Sequence, residues 1–95
     1  MNFARATELL NDGIPVCRKK DLSHFIFKQV PSNISIDIVP KMQSLPDAVR
    51  RVFINRGKDI SYSNQLAIVN DDNEISGYSP SVEDVLATDW EVYHV

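Results

Sequence analysis

An α+β fold on a small antiparallel sheet is the reading this chain supports, and three observations carry it. Three short segments have helical apolar spacing. The runs between them are too short and too β-like to be helices, and Asn70-Asp71-Asp72-Asn73 joins two of them as a hairpin turn. The order is roughly α-β-β-α-β-β-α-β, with no internal repeat or linker, so residues 1–95 are expected to form a single domain with a thin core.

The first helix is predicted over residues 3–11. Phe3, Ala6 and Leu10 fall on one face with Thr7, and Gly13 follows where the chain must turn left-handed. Ile14-Pro15-Val16-Cys17-Arg18 reads as a short strand that Pro15 places at an edge or a strand start. The second strand runs Leu22 to Val30, with Phe25, Phe27 and Gln29 on one face and Ile26 and Val30 on the other, and Pro31-Ser32-Asn33 is expected to stop it. Ser44-Leu45-Pro46-Asp47 has the form of a capping box with Asp in place of Glu or Gln. The helix it opens presents Leu45, Ala48, Val49, Val52 and Phe53 and ends at Gly57. Ile60-Ser61-Tyr62 and Leu66-Ala67-Ile68-Val69 are strands, the latter apolar enough to be covered on both faces, and Glu74 to Tyr78 is its hairpin partner. A helix over Ser81–Ala87 and a strand from Trp90 to Tyr93 complete the domain. Three helices are few for so many two-faced strands, which predicts a homo-oligomer.

Composition narrows the function. The net charge is −3 and the ten basic residues form no dense cluster, which argues against DNA as a partner. No apolar run approaches a membrane span and the opening residues are not a signal peptide, so no membrane partner is expected. With Cys17 alone, an intracellular protein is expected, and this thiol reads as a small hydrophobe. His24 and His94 lack metal-ligand spacing, so neither a metal nor a cofactor is expected. Asp71 and Asp72 belong to a turn, and Glu83 and Asp84 suit a helix N-terminus, leaving no acid–base pair. Walker and dinucleotide motifs are missing too, so the chain is not expected to be an enzyme.

Binding has better support. Tyr62, Asn64 and Gln65 bring an aromatic and two amides together, groups that can read the edge of a base. Tyr78-Ser79-Pro80-Ser81 offers a ring face followed by hydroxyls at the start of a helix, a pattern suited to a ring with a phosphate or ribose. Asp84 competes with an anion there and is better suited to accept from a ribose hydroxyl or a base amine. Trp90 reads as core.

Phe25-Ile26-Phe27-Lys28-Gln29-Val30-Pro31-Ser32 and Ile38-Val39-Pro40-Lys41-Met42-Gln43-Ser44-Leu45-Pro46 resemble the middle of the Thoeris anti-defence protein two family. The run Ile60 to Val69, then Pro80-Ser81, Asp84, Ala87, Asp89 and Trp90, continue the resemblance in order, and the opening helix, Gly13 and Arg18 also fit. The resemblance implies a phage or prophage sponge in the cytoplasm of an infected bacterial host. Such a sponge binds a cyclic nucleotide-derived signal, notably glyco-cyclic ADP-ribose, without cleaving it, and some members also hold cyclic dinucleotides. It implies a homotetramer with pockets at subunit contacts. The candidate ligand-binding residues are Arg18, Phe27, Gln29, Gln43, Tyr62, Asn64, Tyr78, Ser79, Pro80, Ser81 and Asp84, with Arg18 on a phosphate, Asn64 on a base edge and Tyr78 stacking. Two departures stand out: Lys20-Asp21 occupies the place of the family's Gly-Trp pair, and Tyr78 the place of a Trp. The alternative is an oligomeric phage accessory module that inhibits a host protein by direct contact.

Overall fold

A computed structural model, which describes residues 1–94, has three α-helices, a five-stranded antiparallel sheet and a separate two-stranded ribbon. The α+β class and element order follow the sequence reading. The chain divides into two units, one made of residues 1–29 with 64 onward and the other of Val30–Ser63.

The first unit holds the sheet. Helix α1 (Phe3–Asn11) starts at Asn2, whose side chain accepts from the Arg5 N–H at 2.9 Å, satisfying one of the free amides of the first turn. Its end is a Schellman closure. Ile14 N–H donates to Leu9 O and Gly13 N–H to Leu10 O, with Gly13 at φ +82°, a conformation glycine adopts without a Cβ penalty. Strands β1 (Val16–Arg18), β2 (Asp21–Gln29), β5 (Gln65–Val69), β6 (Ile75–Gly77) and β7 (Trp90–Val92) line up in the order β6-β5-β2-β1-β7. The β2–β5 ladder pairs Phe25 with Val69 and Gln29 with Gln65, and Gln65 Nε2 donates to Gln29 Oε1 at 2.5 Å. Strand β1 meets β7 with Arg18 opposite Trp90.

Period-two alternation then sorts the side chains. One sheet face sends Val16, Ile26 and Trp90 into a core with Ala6, Leu9 and Leu10 of α1, and Phe3, Leu66, Ile68 and Tyr78 pack around it. The Phe3 ring lies 5.6 Å from the Trp90 ring in a tilted pair, a favoured aromatic geometry. The other face carries Phe25, which stacks on Tyr93 with centroids 4.5 Å apart. Cys17 is buried, as a small hydrophobe would be. The β5–β6 turn is held by Asn70, whose side-chain oxygen accepts from the amides of Asp72 and Glu74, while Asn73 takes a left-handed φ of 60°. Helix α3 (Val82–Leu86) precedes β7.

The second unit pairs β3 (Ser32–Ile34) with β4 (Ile60–Tyr62), followed along the chain from β3 by a 3₁₀ turn (Val39–Lys41) and helix α2 (Asp47–Arg56). Two expectations are corrected here. Pro31-Ser32-Asn33 does end β2, but the chain resumes as strand β3, because Asn33 and Ile34 find cross-strand partners in Ser61 and Ile60. The Ser44–Asp47 capping box does not form either. Pro46 is the N-cap, and no side chain caps the helix. A helix capped by Ser44 would need Leu45 in the α region directly before a proline, which the Pro46 ring disfavours. Asp47 instead sits in the first turn and pairs with Arg50, while Arg50 Nη1 donates to Met42 O at 2.6 Å. No residue of α2 is buried, although the predicted apolar spacing is present; Val49, Val52 and Ile54 remain exposed. Gly57 closes it at φ +67°.

Candidate functional site

Arg18 ends β1, and the register opposite Trp90 lays its guanidinium over the indole, 5.5 Å from the ring centroid. The loop from α3 into β7 brings Asp89 alongside, so Arg18 Nε donates to Asp89, while Nη1 donates to Asp84 Oδ1 at 2.8 Å. Glu83 lies 3.7 Å from Nη2 and is itself bridged by Lys20. A guanidinium presents a planar fork of donors, so one side chain can tie two or three carboxylates at once.

Asp84 is the other hub. Its Oδ2 accepts from Tyr78 Oη at 2.7 Å and from the Ser81 N–H at 3.2 Å, and Ser81 Oγ accepts from the Asp84 N–H at 3.1 Å. The last two contacts form a closed capping box. The backbone oxygen of Asp84 accepts from Trp90 Nε1 at 2.8 Å, which satisfies both a helix carbonyl and the buried indole donor. Asp84 therefore ties α3 to Tyr78 after β6, Arg18 on β1 and Trp90 on β7.

Protonation follows from these contacts. Burial, and then the Asp84 carboxylate that holds its proton, push the Tyr78 phenol well above its ordinary range. For Asp84, partial burial opposes ionisation, but hydrogen bonds from Tyr78, Ser81 and Arg18 outweigh it and hold the carboxyl below its usual value. The Arg18 hydrogen bond does the same for Asp89, and the Lys20 bond for Glu83. Cys17 is pushed up by burial, then by Glu91 and Asp21, so its thiol stays protonated and a poor nucleophile.

Beside this network is a cleft of about 130 Å³. Its walls are Tyr78, Trp90, Phe25, Ile26, Ile68 and Val16, with Arg18, Lys20, Asp21, His24 and Asp84 among its polar lining and Cys17 also present. Asp21 and Ser23 both engage His24 at Nδ1, at 2.9 and 2.8 Å. A Ser–His–Asp relay needs serine and carboxylate on opposite ring nitrogens, so this cluster is not one. Among the described residues, no group of three or more His, Cys, Asp or Glu side chains is placed to hold a metal, and no helix is long and apolar enough to cross a membrane.

Of the predicted site residues, the structure joins Arg18, Tyr78, Ser81 and Asp84 in one hydrogen-bonded network. Ser79 and Pro80 are exposed between Tyr78 and the cap. Phe27 and Gln29 continue along β2 beyond the cleft, Phe27 6.5 Å from Phe25 and Gln29 bonded to Gln65. Asn64 is exposed just before β5, while Gln43 and Tyr62 belong to the second unit. The sequence reading did not single out Phe25, His24 or Lys20 as cleft residues, nor Asp89 as the partner of Arg18. Asp89 and Trp90 carried a signal through the resemblance, but their meeting with Arg18 depends on strand register. Lys19-Lys20 turns β1 into β2, so of the Lys20-Asp21 pair Lys20 lies in the turn and reaches Glu83, while Asp21 opens β2 opposite Arg18.

The sequence model of the Thoeris anti-defense 2-like domain matches residues 1–93, and the chain belongs to that family. No curated protein matches the chain.

Proposed function

We propose that this member of a Thoeris anti-defence family binds and sequesters a cyclic nucleotide-derived immune signal without cleaving it. Glyco-cyclic ADP-ribose or a related cyclic ADP-ribose or cyclic dinucleotide would be the ligand, and the cytoplasm of an infected bacterial host the setting. The observation that carries this reading is the cleft at Tyr78, where aromatic and aliphatic walls adjoin a dense set of donors and acceptors. Small-molecule sites combine these features, an apolar enclosure with a few placed polar groups. Tyr78 offers the ring face, its hydroxyl directed to Asp84, so a base or sugar would stack beside it. The hydroxyls of Ser79 and Ser81, Pro80, the amides of Asn64 and Gln29, and the ring of Phe27 are the further contacts we assign to the ligand. At about 130 Å³ the cleft is smaller than the roughly 300–1,000 Å³ of complete ligand pockets, so it would seat one portion of such a molecule. A homo-oligomer, as a tetramer, would supply the rest.

A sponge must outcompete the effector, which calls for sub-micromolar affinity, about −8 kcal/mol or stronger. Titration calorimetry with glyco-cyclic ADP-ribose, related cyclic ADP-riboses and cyclic dinucleotides is the direct test. Saturable heat with intact ligand recovered after denaturation is the expected result; no heat from any of them sinks the proposal, and a cleaved product makes the protein an enzyme. Tyr78→Ala should weaken binding while the fold survives.

The second reading, direct inhibition of a host protein, draws on one observation. Val82 and Leu86 of α3 are 76% and 75% exposed, and Ile75 of β6 is 65% exposed, which is unusual for large apolar side chains on one small unit.

A further inference from the structure

The cleft beside Tyr78 contains a guanidinium, and a guanidinium in a nucleotide site would ordinarily be assigned to a phosphate. Its contacts point elsewhere. Nε is taken by Asp89 and Nη1 by Asp84, with Glu83 near Nη2. The face of the group lies over Trp90. A phosphate reaching Arg18 would have to displace a carboxylate already bonded to it and then remain beside that carboxylate, a like-charge contact. Lys20 does not compensate, because it is committed to Glu83. Around the cleft, Arg18 and Lys20 face Asp21, Glu83, Asp84 and Asp89, two cations against four carboxylates. The apolar walls of Tyr78, Ile26 and Ile68, which lie on one face of the sheet, by contrast suit a flat ring.

We propose that this cleft takes the uncharged ring portion of a nucleotide and turns its phosphate away, with Asp89 as the positioning residue that holds Arg18 as a wall and keeps it from acting as an anion ligand. The inference rests on the nucleotide reading above and assigns the part of the molecule that enters. The phosphates of a cyclic ligand then lie outside the cleft. Asp89 acts through Arg18 and does not touch the ring.

Adenosine and adenosine 5′-monophosphate differ only by the phosphate and test this directly. Both are titrated into the full chain at millimolar concentration, with the Trp90 indole and Tyr78 ring signals followed by NMR. In the wild-type protein both ring signals should shift with adenosine, which binds at least as tightly as the monophosphate. Asp89→Asn should move the affinity ratio about 3- to 5-fold toward the monophosphate while adenosine affinity holds, and Asp89→Glu should restore the wild-type ratio. A purely structural role for Asp89 would weaken both compounds together and leave the ratio unmoved, which overturns its assignment. Tighter wild-type binding of the monophosphate, lost at about 0.5 M salt, would make Arg18 a phosphate ligand and overturn the proposal without any variant. Absence of shifts at Trp90 and Tyr78 with either compound also overturns it. Glyco-cyclic ADP-ribose titrated in the same preparation scores the sponge reading separately: it can bind while adenosine fails to enter the cleft, or fail while adenosine enters.

Discussion

Two segments of this chain share the pattern Ser-x-x-Asp, and they end up in different structures. Ser81-Val82-Glu83-Asp84 closes into a reciprocal capping box at the start of α3. Ser44-Leu45-Pro46-Asp47 does not, and α2 begins at Asp47 with no side-chain cap. One cause is local: Pro46 stands where the second helical residue would be and pushes Leu45 out of the α region. The other is tertiary. Asp84 is held by Tyr78 and Arg18 as well as by Ser81, whereas Asp47 pairs with Arg50 one turn along its own helix. A capping motif is thus a local offer that the surrounding fold can reinforce. The reinforced copy is also the one that borders the cleft.

The comparison can be broken most forcefully at Trp90. It is fully buried, donates to the Asp84 carbonyl and lies beneath Arg18, so Trp90→Ala should cost about 3–5 kcal/mol and unfold much of so small a protein. Urea denaturation followed by circular dichroism measures it, and a cost under about 1 kcal/mol would mean that the corner does not rest on the indole. Ser81→Ala should come next, at about 1 kcal/mol for a lost cap, with Ser44→Ala within about 0.5 kcal/mol of wild type. Equal costs for the two serines, read from the same denaturation curves, would erase the distinction between the segments. Gly57→Ala sharpens the α2 side. Its φ of +67° imposes roughly 1 kcal/mol on any residue with a Cβ, even though nothing lies within 4 Å of the added atom.

The pH profile separates the segments in a further way. The carboxyls of Asp84, Asp89 and Glu83 sit below their ordinary values when folded, so the unfolded chain takes up protons first as pH falls. Their stabilisation is complete above the ordinary carboxylate range near pH ~4 and is lost as pH falls through the folded values. Tyr78 has the opposite sign: its raised value gives stability below about pH 10 that is lost as pH rises further. Thermal melts from pH 2 to 11 should therefore drop at both ends, and Tyr78→Phe should flatten the alkaline side and, because Asp84 loses a hydrogen bond that holds its value down, soften the acid drop as well. An alkaline drop that persists in Tyr78→Phe would assign it to another group.

Much of the first unit was legible because its signals are local. The Phe3–Leu10 spacing, Gly13 after the helix, the Asn70–Asn73 turn and the Ser81–Asp84 cap each act within a few residues. Strand β3 was not legible, because a three-residue strand after a proline exists only through its partner β4. The apolar stripe of α2 was read correctly as a stripe, but periodicity cannot report that its residues stay exposed. Candidate site residues divided in the same manner. Tyr78, Ser81 and Asp84 lie close in sequence and were found together, while Arg18, 66 residues before Asp84, joined them through the resemblance.

By itself, then, the sequence determined the α+β class, the glycine ends of α1 and α2, the Ser81 cap, the hairpin turn and the family to which the chain belongs. Those depend on backbone preferences and on patterns that act over short stretches of chain. Only the tertiary structure decided what Arg18 does. Antiparallel register sets it opposite Trp90, and the α3–β7 connection brings Asp84 and Asp89 to its donors. A guanidinium that stands alone in the sequence is thus engaged by carboxylates that are distant along the chain and adjacent in space.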